Sequence, residues 1–161
     1  MKKILLLLAV CCIGLWGCGG GNSAIGGLSP EQQEYADVLL AFVNKVKERD
    51  SAGAKLFVSG DLKYNGEASG YDNFQRRLDD YLSKVENPSM TVVGEMGVII
   101  LDSDRKQAKV SAYVSYKDIN SEGVLGDNLE VIVQIGSSSR KGIIEFRARN
   151  NEIAKFPPQL Q

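Results

Sequence analysis

The chain has 161 residues, with 19 Lys and Arg against 20 Asp and Glu, a formal net charge of -1, no histidine and three cysteines. Affinity for nucleic acid rests on clustered positive charge that neutralises phosphates; the short basic pairs Arg76-Arg77 and Arg140-Lys141 read as solvated surface, which argues against such a partner. The absence of histidine removes the usual neutral-pH acid-base group and the commonest nitrogen ligand, so most hydrolase arrangements are excluded and no metal or cofactor is expected.

At the start, Lys2 and Lys3 precede an uncharged run from Ile4 to Trp16. This pattern is a secretion signal. It is shorter than the roughly 20 residues with which a helix spans a bilayer. The stretch Leu15-Trp16-Gly17-Cys18 resembles the lipobox of bacterial lipoproteins, which ends in a small residue and cysteine. That resemblance implies that residues 1–17 are a signal peptide removed ahead of Cys18, and that Cys18 carries a diacylglyceryl group and a fatty acyl chain such as palmitate. Membrane lipid would then be the first partner. Plain secretion with a cut near Gly17 is the other reading of the same residues. Gly19 stands where an aspartate would resemble an inner-membrane retention signal. In a double-membrane bacterium this places the protein in the cell envelope on the periplasmic face of the outer membrane, with surface exposure as the alternative.

Removal of residues 1–17 takes away two lysines and no acid, leaving 17 basic against 20 acidic residues. Cys11 and Cys12 leave with it, so Cys18 is the only cysteine retained and no disulfide can form within the mature chain. The remaining length suits one domain. Residues 18–28 hold the lipidated cysteine and a glycine-rich tether, a flexible coil with a span of roughly 15–20 Å. A phosphate-cradling loop would need a preceding strand and a lysine, and this segment has neither.

Ser29 opens a first helix, with Pro30 at its first position and Gln32 placed to complete a capping box. Ala36, Leu39, Leu40, Val43 and Val46 recur at helical spacing. Asp50 or Ser51 caps a short second helix through Leu56 and Phe57, which Gly60-Asp61 ends, with Tyr64 on a brief extended segment. A third helix starts near Asp72 and carries Phe74, Leu78, Tyr81, Leu82 and Val85 to a stop at Pro88. The period then changes to two. Strands are expected over Met90 to Leu101, with Gly94 and Gly97 as bulge or bend sites, over Ala108 to Lys117, over Leu129 to Ile135, and from about Ile143 to Arg149. Asn120 to Asp127 and Ser137 to Gly142 read as loops.

Helices followed by sequential strands with short turns predict an α+β fold, in which the N-terminal helices pack on a strongly bent antiparallel sheet of about four main strands. The long first helix, the phrase RDSAGAKLFVSGDLKYNG at residues 49–66, the helix YDNFQRRLDDYLSKV at 71–85 and the meander beginning MTVVGEMGVIILDSD at Met90 resemble the NTF2-like superfamily. This is the cone fold shared with ketosteroid isomerases and SnoaL-like proteins. The resemblance spans roughly Ser29 to Phe156, giving a single domain at residues 29–156 and a C-terminal tail at 157–161. Cystatin-like α+β folds are the nearest rivals.

In enzymes of that superfamily a cavity between sheet and helices holds a small apolar ligand, and a carboxylate works with a tyrosine or a histidine with an aspartate. This chain has no histidine for the second scheme. For the first, the resemblance offers Tyr35, Tyr64 or Tyr81 as the hydrogen bonder and Glu95 or Glu145 as the base. Against this, Glu95 sits beside two bend-forming glycines, and Glu145 alternates with Arg147 and Arg149 as a solvated strand face would. Tyr113, with Ser111 and Ser115, lies on the sheet face opposite the core stripe. In NTF2-like proteins that face commonly packs on a second subunit, which implies a homodimer or an envelope protein partner; a solvent-facing tyrosine is the other reading. The expected function is a non-catalytic binding or assembly domain tethered to a membrane. The alternative is a small isomerase or dehydratase, favoured by a polar pair converging in an enclosed cavity and opposed by an interior filled with side chains.

Overall fold

The computed structural model describes residues 27–64, 67–68, 71–86, 88–117, 123–136 and 141–148. The segments expected to be a signal peptide, a lipidated Cys18 and a C-terminal tail, and nearly all of the expected tether, lie outside the described residues. Helix α1 (Pro30–Lys47) begins as the sequence requires: Ser29 Oγ accepts from the Gln32 amide at 3.2 Å, and Gln32 Oε1 accepts from the Ser29 amide at 2.9 Å. The same Gln32 reaches further, since its Nε2 donates to the Val98 carbonyl at 3.0 Å. One side chain thus caps the helix and fixes it to the sheet.

Helix α1 ends in a Schellman turn. Arg49 takes φ 61, its amide donates to the Val46 carbonyl at 3.0 Å, and the Asp50 amide donates to the Lys45 carbonyl at 2.9 Å. The Arg49 guanidinium then turns to helix α3 (Tyr71–Lys84), where Nη1 donates to the Val85 and Glu86 carbonyls at 2.7 and 2.6 Å and Nη2 to that of Leu82 at 2.6 Å. These are orphan acceptors at the negative end of α3, so a cation is the fitting partner. Between these helices lies α2 (Ser51–Lys55), capped by the Asp50 side chain on the Gly53 amide at 2.8 Å. A Cβ at Gly53 would sit 2.2 Å from Asp50 Oδ2 and 2.8 Å from Lys45 Cδ, so a side chain there would displace the capping carboxylate.

The strands are β1 (Val58–Tyr64), β2 (Glu67–Ala68), β3 (Thr91–Asp102), β4 (Gln107–Lys117), β5 (Val124–Ile135) and β6 (Lys141–Ala148). They form one six-stranded sheet in the order β2-β1-β6-β5-β4-β3. The α+β expectation holds, and the four long strands are antiparallel neighbours. Two features differ from the sequence reading. Gly60-Asp61 does not terminate a helix but lies inside β1, which runs parallel to β6 and makes the sheet mixed. The third loop is shorter than expected, because β5 starts at Val124 and pairs it with Lys117. Gly94 does mark a bend: its φ is 79, and the β3–β4 register shifts between Val93 and Gly97.

The core lies between α1, α3 and one sheet face. Ala108, Val110, Ala112, Val114 and Tyr116 all point into it from β4. At its centre Phe42 of α1, Phe74 of α3 and Phe146 of β6 meet with ring centroids 5.7–6.0 Å apart, the last two stacked at 12°. Leu39, Leu78 and Val131 close around them, each fully buried. The space between helices and sheet is filled at this point by aromatic side chains from three different elements.

Candidate functional site

The sequence offered a carboxylate and a tyrosine converging inside the cone; the structure puts Tyr35 and Tyr81 in the core and Glu95 on the exposed part of β3, while Tyr64 pairs with Phe146, next to Glu145, along the β1–β6 ladder. Tyr81 is fully buried in α3, and its hydroxyl donates to the Lys117 carbonyl at 3.0 Å, with that of Pro88 at 3.4 Å. Its role is to tie α3 to the end of β4. Tyr35 is buried in α1; burial first, then the charges of Glu31 and Glu34, raises its phenol above the ordinary value. Tyr64 ends β1, and its side chain lies outside the described residues. Glu95 is exposed beside Gly94 on the bent part of β3.

Glu145 differs from its expectation as part of a solvated strand face. It is only 8% exposed. Strand β6 is internal, flanked by β5 and β1, so its outward side chains stand on the floor of a channel rather than at an edge. The neighbour that buries it is β1, of which the sequence predicts only a brief extended segment at Tyr64. The Glu145 carboxylate also points away from the core: its register partner is Ile132, which is buried yet stands outside the main hydrophobic cluster.

This outer face of the sheet carries the remaining unusual surface. Registers place Val93 beside Tyr113 and then Asn128, Gly97 beside Ser111, Glu130 and Arg147, and Ile99 beside Lys109, Ile132 and Glu145. The β3–β4 half is apolar and open, with Val93 49%, Ile99 56%, Leu101 51% and Tyr113 43% exposed. The Tyr113 ring lies over Gly126, where a Cβ would meet its hydroxyl at 2.0 Å. Ser111 and Ser115 are partly buried on the same strand. From β4 to β6 polar groups follow: Arg147 Nη2 donates to Glu145 Oε2 at 3.0 Å within β6, while from β4 Lys109 Nζ lies 3.6 Å from Glu130 of β5 and Gln107 Nε2 donates to Gln134 of β5 at 3.1 Å. The Glu145 carboxylate, ahead of Glu130, raises the Arg147 guanidinium above its ordinary value.

Beside the polar half is a groove of about 810 Å³. It exists because β1 pairs with β6 at Val58–Ile143 and again at Lys63–Glu145, so that five residues of β1 span two of β6 and the strand arches outward between them. Gly142 marks the close crossing at the near end, where a Cβ would be in van der Waals contact with the Phe57 carbonyl and the Ser59 amide, each at 3.4 Å. Ile132 and Glu145 belong to the lining, with Lys63, Asp61 and Arg147 around them and Leu56 at the α2 side. The sequence signal for this groove was present only as an excess of polar residues, Ser59-Gly60-Asp61, within a short extended segment.

No protein-family profile matches this sequence, and no curated protein matches it. Solved structures do. Bd1075 of Bdellovibrio bacteriovorus superposes with a TM-score of 0.58 at 13% identity, over 71% of this chain and 39% of its own. This chain therefore spans about two fifths of that protein. A scytalone dehydratase-like protein of Novosphingobium aromaticivorans gives 0.58 at 14% identity, covering 74% of this chain and 83% of the other. An NTF2-like superfamily protein of Salmonella enterica gives 0.56 at 7% identity, covering 73% and 88%. At these identities the likeness concerns the arrangement of the backbone.

Proposed function

We propose that this chain, which has the NTF2-like fold, is a lipid-anchored envelope protein whose domain binds a partner protein through the outer face of its sheet and performs no chemistry of its own. The carrying observation is the group of Val93, Ile99, Leu101 and Tyr113, four large apolar side chains between 43% and 56% exposed on adjacent strands. Grouped apolar surface of this kind marks interaction sites more often than scattered single residues do. Tyr113, an aromatic with a polar tip that pairs with Val93 at one end of this group, is of a residue type favoured in such contacts. The filled interior supports the same reading, because the aromatic cluster of Phe42, Phe74 and Phe146 occupies space that an enclosed substrate would need. The anchor rests on the Gly17-Cys18 lipobox resemblance and the glycine-rich segment after it.

A photo-crosslinking residue placed at Ile99 or Tyr113 in cells should give a discrete adduct, and the same residue at the exposed Asp79 of α3 should not. An adduct of twice the chain mass identifies a second copy as the partner; any other mass identifies a different envelope protein. Equal labelling at all three positions, or none, overturns the surface reading. Metabolic labelling with a fatty acid tests the anchor separately, since Cys18→Ala should abolish it.

A further inference from the structure

The groove beside β1 carries a different chemistry from the apolar face. We infer that it binds a short zwitterionic peptide with apolar side chains, whose ammonium meets Glu145 and Asp61 and whose carboxylate meets Lys63 and Arg147.

The argument starts from Glu145. Its side chain is 11% exposed on the outer side of the sheet, and a carboxylate in that position needs its oxygens satisfied. Arg147 supplies one bond, to Oε2. Oε1 has no hydrogen-bond partner among the described residues, yet it is not sealed away, because no fully buried polar side-chain atom in them lacks a partner. An acceptor at the bottom of a groove, reachable from outside, is therefore open to a donor. Across the groove, Lys63 stands in register with Glu145, and neither Lys63 nor Asp61 has a side-chain partner among the described residues. Lys55 is already engaged, with its ammonium hydrogen-bonded to Gln75 and lying 4.4 Å from the centre of the Tyr71 ring.

These charges exclude simpler ligands. A lone anion drawn to Lys63 and Arg147 would face Asp61 and Glu145, and a lone cation drawn to the carboxylates would face the two basic groups. A molecule with both signs, separated by its own backbone, satisfies both sets. The rest of the lining specifies its body: Leu56 is 77% exposed, and Val58, Leu101, Ile132 and Ile144 continue the apolar surface. A volume of about 810 Å³ falls within the roughly 300–1,000 Å³ of pockets that hold compact organic ligands, with room beyond a single amino acid.

The inference does not rest on the partner reading, and Leu101 is the one exposed apolar residue that the two surfaces share. Titration of the isotope-labelled protein with L-leucyl-L-leucine, followed by amide NMR, tests it. Shifts should concentrate at Ser59–Lys63 and Ile144–Arg147. N-acetyl-leucyl-leucine, which lacks the ammonium, and leucyl-leucinamide, which lacks the carboxylate, should each bind at least tenfold more weakly. Lys63→Ala, at an exposed position that does not endanger folding, should weaken the dipeptide at least fivefold and leave the amide unaffected. Glu145→Gln should weaken the dipeptide but not the acetylated form. Equal binding of all three probes, tighter binding of the acetylated form, or no shifts with millimolar dipeptide overturns the assignment. If the dipeptide fails while the crosslinks at Ile99 and Tyr113 persist, only the groove assignment falls.

Discussion

Replacing Arg49 should separate two contributions that the structure places in one residue. The side chain makes three short bonds to the carbonyls of Leu82, Val85 and Glu86, while the backbone holds φ 61. A hydrogen bond to a charged group contributes about 1.5–3 kcal/mol where water is excluded, but Arg49 is exposed and water can replace part of each bond. Together with the helix-end charge interaction, the loss in Arg49→Ala is about 2–3 kcal/mol. Arg49→Gly loses the same bonds and relieves the left-handed backbone, worth about 1–2 kcal/mol for a residue with a Cβ. Part of that gain is returned through the freer unfolded chain, so glycine should be more stable than alanine by about 0.5–1 kcal/mol. Urea unfolding followed by circular dichroism reads both numbers, and with a slope near 2 kcal/mol per molar the alanine midpoint falls by about 1 M. Equal midpoints for alanine and glycine would refute the backbone argument. A loss below about 0.5 kcal/mol in both would refute the cap.

Acid should act through Asp50. The Gly53 amide, followed by the Lys45 ammonium at 3.2 Å, holds its carboxyl below the ordinary value of 3.8. A depressed folded pKa contributes stability that is complete above the unfolded value and is lost as pH falls through the folded one. Asp50→Asn keeps an oxygen for the Gly53 amide, so its urea midpoint should decline less than the wild type's between about pH 4 and pH 2; parallel curves would count against the assignment. Phe146→Ala should cost about 3–5 kcal/mol, because the rings of Phe42 and Phe74 cannot both collapse into the space. A loss under about 1.5 kcal/mol, read by the same urea assay, would mean that the interior is loosely filled.

The features legible in the sequence were those set within a few residues. The capping box at Ser29 and Gln32, the apolar stripes of α1 and α3, and the alternation from Ala108 to Tyr116 each depend on local spacing. Strand β1 was legible only as a brief extended segment at Tyr64, because its buried residues, Val58 and Leu62, are four apart and the register irregularity between Val58 and Lys63 interrupts the period of two. Gly60-Asp61 then read as a stop. Losing the rest of β1 had a consequence for the site: with no neighbour on that side, Glu145, Arg147 and Arg149 looked like the wet face of an edge strand. The alternation was read correctly, but the burial depends on a parallel partner some eighty residues earlier in the chain.

The same pairing explains why this fold presents its polar chemistry outward. At the centre of the cone α1, α3 and β6 each contribute a phenylalanine, and the three rings pack on one another and fill that point. Removing one ring leaves two others and a destabilised core. The buried carboxylate, meanwhile, lies on the other side of β6, one residue before Phe146, since successive strand residues alternate faces. Phe146 fills the inside at the position next to the one that places Glu145 outside. The arch of β1 then converts that outward carboxylate from an ordinary surface charge into the floor of a groove. Recognition on the outer face follows from this division more directly than catalysis within the cone does.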